Sequence, residues 1–384
     1  MIFGILKRPR ARKWLLLAVL LTATICVSGC RTLGFYAQAI GGQYQIFAHR
    51  RAIDKIVADP KTSAELKGKL ELIQRLREFA DKELKLPVDG HYLKYADVHR
   101  EYVVWNVQAA PQFSLEPKTW WYPLVGSLEY RGYFSSDGAK KYGQYLTRKG
   151  YDVFVGGVDA YSTLGWFKDP VLNTFISRPE SDLAELIFHE LGHQRVFARG
   201  DTDFNEAFAT TVGQEGARRW IQAAGDTNLF DSYLVSMKRN EQFVRLIMRT
   251  RATLEAIYGD ERDKDGNLKA ARKPPAPAVE MQARKERVFD DLRAEYAVLK
   301  EQWNGYKGYD AWFSRELNNA QLNTIANYYD YVPGFEQLLQ LKDGDMKAFY
   351  AAAERLANMP KEERHQWLRN LADGGKLQGA LGDK

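Results

Sequence analysis

Two histidines four residues apart, His189 and His193, with Glu190 beside the first, constrain this 384-residue chain more than any other feature. On a helix that spacing puts both imidazoles on one face, about one turn apart. Imidazoles so placed can share one zinc ion, and a glutamate at the second position can reach a water on that ion. The five-letter pattern alone arises by accident in roughly one chain of this size per hundred, so its neighbours decide what it means. Asp182 to Phe197 reads as a helix, with Ser181 as N-cap and Asp182 in the first turn, where a carboxylate complements the helix dipole. Leu183, Leu186, Ile187, Val196 and Phe197 give it an apolar surface that predicts burial. Taken alone, it also fits a core helix whose histidines merely satisfy backbone or carboxylate partners.

A hydrolytic zinc site needs a third protein ligand and one position left to water. Asp203 begins a second helical run reaching about Trp220, with Asp203 as its predicted cap. The connection Arg199-Gly200-Asp201-Thr202 is short and polar, so the two helices can pack side by side. Glu206, in the first turn, can point back at the histidines; otherwise it simply complements the dipole. Glu215, later on the same helix, is a weaker candidate ligand. The expected metal set is therefore His189, His193 and Glu206 around one Zn²⁺, with Glu190 as general base.

Short β-branched and aromatic runs bounded by Gly and Pro precede this pair: Tyr102 to Val107, Leu128 to Tyr133 and Asp152 to Val155. Ser136 to Lys149 suits a helix between two of them. The segment from Gly156 to Phe167 then leads to the metal helix. It reads either as an edge strand for an extended peptide, with Tyr161, Ser162, Thr163 and Trp166 lining the cleft, or as an aromatic-rich turn over the core. Upstream, Phe35 to Arg51, Ala52 to Ala58 and Ser63 to Leu84 have helical spacing. Downstream, Ser232 to Tyr258 and Val279 to Trp303 suggest a helical hairpin, joined by an exposed, charged, Pro-rich connector from Asp260 to Pro277.

The chain resembles a family of bacterial zinc aminopeptidases, lipoproteins of the gluzincin type. The resemblance runs over most of the sequence. It is carried by Val103 to Val107, Pro123 to Gly126, Tyr130 to Phe134, Gly157 to Phe167, Phe188 to Gln194, Gly200 to Glu206, Asn318-Asn319-Ala320, Tyr328 and Val332-Pro333. It implies an α+β fold: a zincin-like catalytic domain, with a small sheet and an active-site helix, plus extensive helical regions. It also implies that Tyr328, by its position in the family, donates a hydrogen bond to a developing oxyanion. Two departures stand out. Cysteines expected near Trp121 and Ser127 are absent, and Thr210 stands where better-known gluzincins often carry an acid four residues after the ligand glutamate. That leaves the partner orienting a ligand histidine unassigned. The expected organisation is a lipoprotein signal over 1–29, an N-terminal helical segment over 30–100, a catalytic core over 101–230 and a helical region over 231–384.

Lys7, Arg8, Arg10, Arg12 and Lys13 precede an apolar stretch from Trp14 to Val27 and then Ser28-Gly29-Cys30. This order reads as a secretion signal ending in a lipobox, with lipid on Cys30 as the membrane anchor. Arg31 after the cysteine points to the outer membrane, facing the periplasm. The other cysteine, Cys26, would leave with the signal, so no disulfide is expected. Removing the signal leaves 50 basic and 49 acidic residues, a net of +1 instead of +6. Nothing in that balance calls for nucleic acid.

The expected function is hydrolysis of peptide substrates by a zinc-activated water. An aminopeptidase must also bind a free amine, and Glu129, Asp159 and Asp169 are candidate acids for that task. The Gly-x-Met-Glu-Asn motif of well-known aminopeptidases is missing. A zinc endopeptidase and a non-catalytic, lipid-anchored scaffold are the alternatives, the latter disfavoured because structural zinc usually takes four protein ligands and prefers cysteine.

Overall fold

Runs rich in valine and aromatic side chains form the longer strands, and the amphipathic runs around them form helices. In the computed structural model, which describes residues 33–122, 126–160, 168–263 and 267–375, the chain is α+β, with short sheets among many helices. Residues 1–48 and 49–384 are separate units. The described part of the first is one helix, α1 (33–48). The lipobox reading at Cys30, and Tyr161, Ser162, Thr163 and Trp166, lie outside the described residues.

The second unit runs β1 (Arg50–Ala52), α2 (Ile53–Ala58), α3 (Ala64–Lys82), β2 (Lys94–Ala96), β3 (Val104–Pro111), β4 (Trp120–Tyr122), β5 (Gly126–Leu128), β6 (Arg131–Tyr133), α4 (Ser136–Thr147), β7 (Tyr151–Val158), β8 (Val171–Leu172), α5 (Glu180–Arg195) and α6 (Thr202–Ala224). It continues with α7 (Thr227–Tyr258), β9 (Glu261–Arg262), β10 (Leu268–Lys269), α8 (Ala278–Gln302), α9 (Asp310–Phe313), α10 (Asn319–Tyr329), α11 (Val332–Gln340), α12 (Met346–Ala357) and α13 (Lys361–Ala372).

One three-stranded sheet is antiparallel, in the order β6-β3-β7. Trp105 lies opposite Tyr133, and Val107 opposite Val155. Helix α4 packs on this sheet, with Ala139 and Leu146 against Val107 and Ala109. Strand β7 is an edge, and side chains from α10 and the segment before it cap part of that edge. The Val153 carbonyl accepts from Asn318 Nδ2 at 3.1 Å, and the Val155 carbonyl from Arg315 at 3.3 Å. The Asn319 amide is shared among the carbonyls of Pro111, Gln112 and Ser114 at 3.0–3.1 Å. The Asn318-Asn319 pair thus fixes the start of α10 on the sheet, which determines where Tyr328 emerges at its other end.

Helices α5 and α6 lie side by side at the centre. Phe204 and Phe208 of α6 pack on Phe335, and Phe208 stacks on Phe349, tying in α11 and α12. Phe79 of α3 meets Phe188 and Trp220 on the other side. Helices α7 and α8 form the expected hairpin, burying Phe243, Leu246, Leu254, Met281 and Leu292.

Several boundaries differ from the sequence expectations. Helix α5 starts at Glu180, not Asp182, because the Pro179 carbonyl already accepts from Leu183 N at 2.9 Å. Ser181 is therefore inside the first turn and donates to Asp182 at 3.0 Å instead of capping. The helix also stops at Arg195, since Val196 is extended. The cap of α6 is Asp201, which accepts from Phe204 N at 3.4 Å, and not Asp203. Asp201 is held in place by His365 at 2.8 Å and Arg364 at 3.2 Å, partners too distant in sequence to be read locally. Within the N-terminal stretch read as helical, Arg50–Ala52 pairs with Lys94–Ala96 as strands. The connector from Asp260 to Pro277 contains the β9–β10 pair and buries Leu268 instead of lying wholly exposed.

Candidate active site

Close approach of α5 and α6 depends on glycine at the contact. A Cβ on Gly213 would lie 2.7 Å from the Glu185 carbonyl and 3.1 Å from His189 Cβ. A Cβ on Gly192 would lie 3.3 Å from Ala209 Cα. With no side chain at either point, His189 and His193 meet Glu206, which lies just beyond the first turn of α6 and not within it, because the helix starts at Thr202. The two Nε2 atoms are 3.2 Å apart, and Glu206 Oε2 lies 3.4 Å from one and 3.5 Å from the other. Ligand bonds of about 2.0–2.2 Å in a tetrahedron give edges of roughly 3.3–3.6 Å. These three atoms have the spacing of one face of such a site, and they are the one His/Cys/Asp/Glu cluster of this kind among the described residues.

The electrostatics follow from crowding in a buried place. Burial would raise the Glu206 carboxyl, but the two imidazoles outweigh it and hold it far below the usual carboxylate range. Burial also pulls His193 down, yet Glu206 and Glu190 overcome this and leave it raised. His189 is lowered, by burial foremost, with Glu206 offsetting only part of the effect. His193 Nδ1 is buried with no hydrogen-bond partner among the described residues. Thr210 lines the adjoining cleft.

Glu190 is only 8% exposed, and its Oε2 has no hydrogen-bond partner among the described residues. Burial pushes its carboxyl up to about 7, against the lowering effect of His193. A carboxyl that titrates near neutrality can accept a proton and return it without a large cost in either direction. His189 and Glu190 border a cleft of 630 Å³ that also involves Asp159, Glu185, Tyr328 and the end of β7 at Gly157 and Val158. The edge-strand expectation for Gly156 onward therefore coincides, over its described part, with a strand end at this cleft.

The Tyr328 ring lies 6.1 Å from the His189 ring. The charge on Glu206, followed by burial, holds its hydroxyl protonated far above neutrality. Tyr130 is a second phenol near this centre: burial and then the charge of Glu206 raise its pKa. Sequence reading assigned Tyr130 no role, because nothing local in Tyr130 to Phe134 distinguishes a site tyrosine from a strand tyrosine. Glu215 does not join the cluster; it pairs with Arg218 and Arg219, each at 2.7 Å.

The three acids considered for amine binding are dispersed. Asp159 is at the cleft but pairs with Arg178. Asp169 sits 3.4 Å from His91 Nδ1. Glu129 lines a different cavity, with Asp203 and Asp330.

The family described as "Putative aminopeptidase" matches residues 34–368, a span that includes every residue of the cluster and its cleft. No curated protein and no solved structure matches the chain. On the extent of that match, the chain belongs to the family described as "Putative aminopeptidase".

Proposed function

We propose that this protein is a zinc-dependent aminopeptidase with a zincin-like catalytic unit, anchored to the cell envelope by lipid on Cys30. The observation that carries the reading is the convergence of His189, His193 and Glu206 to within 3.5 Å, beside a buried and unpartnered Glu190 oxygen. Two imidazoles and a carboxylate suit a borderline-soft ion such as zinc. Three protein donors also suit a catalytic site better than a structural one. The envelope location, outer membrane facing the periplasm, rests on the sequence around Cys30 and Arg31 alone.

Bound there, zinc would supply a Lewis acid for the substrate carbonyl and acidify a water. Glu190 takes a proton from the attacking water and delivers it to the departing amine. Tyr328, kept protonated by its surroundings, donates to the carbonyl oxygen as negative charge develops there. The final residues of β7 offer backbone groups to an extended peptide. Glu206 stays ionised throughout, because the imidazoles stabilise its charge.

The test is a peptide digest with wild-type protein and Glu190→Gln, both checked for zinc content. Wild-type turnover and a variant that keeps zinc but loses about 10²–10⁴ in kcat are expected. Equal rates in the two would remove Glu190 from the chemistry. Equal cleavage of free and N-acetylated peptides would make the protein an endopeptidase, and no cleavage of any peptide would favour the scaffold reading.

A further inference from the structure

The acids around the cleft are not equivalent. Asp159 is neutralised by Arg178, and Asp182 is exposed and accepts from Ser181 at 3.0 Å. Glu185 differs from both. It sits on α5 four residues before His189, about 6 Å along the helix axis, and borders the same cleft as His189 and Glu190. No ion pair involves it among the described residues, and Arg178 lowers it only in part. Asp182 adds a like charge from the turn before, the Gln214 amide hydrogen-bonds to it, and its charge raises the phenols of Tyr233 and Tyr329. Leu186 and Met237 add apolar wall nearby.

A carboxylate that is largely removed from water and lacks a cation is unfavourable unless a ligand supplies one. Here the cleft admits a ligand, and His189 and Glu190 border it beside Glu185. A protonated amine with an aliphatic body matches the wall, its charge on Glu185 and its carbons on Leu186 and Met237. We propose that Glu185 is a specificity residue that pairs with a protonated amine of the substrate, either the α-amino group or a basic side chain. This deepens the proposed function and rests on it. It would supply the amine-binding acid that Glu129, Asp159 and Asp169 do not.

The experiment measures binding, so it does not depend on turnover. Leucinamide, N-acetyl-leucinamide and N-acetyl-lysinamide are titrated calorimetrically into the zinc-loaded full chain and into Glu185→Gln. A pH of about 7.5 keeps the amines largely charged. At least one amine ligand is expected to bind wild-type protein more tightly than the neutral one, and Glu185→Gln to lose that advantage by about tenfold. N-acetyl-leucinamide should bind both proteins alike, which also certifies the variant's fold. Preference for leucinamide identifies the α-amine as the source, and preference for N-acetyl-lysinamide identifies the side chain. If Glu185→Gln does not fold, Glu185→Asp, which withdraws the charge by one methylene, is expected to weaken amine binding severalfold. An amine preference that survives either substitution, or is missing from wild-type protein, overturns the proposal. Failure of wild-type protein to hydrolyse any peptide is a separate result, which overturns the proposed function instead.

Discussion

Gly213→Ala is the sharpest test of how the site is assembled. The added methyl would sit 2.7 Å from the Glu185 carbonyl oxygen, 3.1 Å from His189 Cβ and 3.3 Å from His189 N. Two of these atoms are backbone, so no side-chain rotation relieves the contact. Reaching an ordinary separation of about 3.4 Å requires α5 and α6 to part by several tenths of an ångström. Alanine is the better helix former by about 1 kcal/mol, while overpacking a close contact costs typically 1–3 kcal/mol. The net effect expected is destabilisation of about 1 kcal/mol, equivalent to a fall in Tm on the order of 1–2 °C for a unit of this size. The larger effect should be on the metal. His189 moves away from Glu206 by more than the roughly 0.2 Å that zinc–ligand distances tolerate, so zinc affinity should fall by about tenfold or more. Competition with a chromophoric chelator measures this, alongside a thermal scan. A variant with higher Tm and unchanged zinc affinity would refute the argument that glycine at this contact sets the ligand geometry.

Other substitutions separate the roles of the remaining residues. Glu206→Ala should cut zinc affinity sharply, whereas Glu215→Ala should leave it unchanged, since Glu215 serves Arg218 and Arg219; chelator competition distinguishes the two. Tyr328→Phe is expected to lower kcat by about 10–10³ with little change in KM, and equal losses in both would point to a binding role. The folded pKa of Glu185 is raised to about 7 from 4.5, mainly by burial, so the native state binds more protons than the unfolded chain between those values. Its contribution is therefore present at low pH and lost as pH rises through about 7. Thermal scans should show Glu185→Gln gaining stability relative to wild type at pH about 8 but not at about 4.5; an equal difference at both values would contradict the assignment.

The parts of this fold that local spacing governs were the legible ones. His189 and His193 share a helix face because they are four residues apart, and Glu206 follows a connection short enough to bring α6 alongside. The strands around Val104 and Val153 announce themselves by residue type. What escaped were arrangements made by distant partners. Asp201 caps α6 because His365 and Arg364 hold it, although Asp203 looks equally suitable in sequence. Tyr130 and Glu185 read as an ordinary strand tyrosine and an ordinary helix carboxylate until the neighbouring helices surround them. Gly192 and Gly213 resemble two weak points in helices, while their function is to let two backbones approach.

The central claim is that one divalent ion is held by His189, His193 and Glu206. Elemental analysis of the full chain, stripped with chelator and reloaded, tests it most directly, with His193→Ala and Glu206→Ala run beside wild type. One zinc per chain in wild type, and well below one in both variants, is the result expected. Wild-type protein that takes up no zinc, or variants that retain a full equivalent, would contradict it.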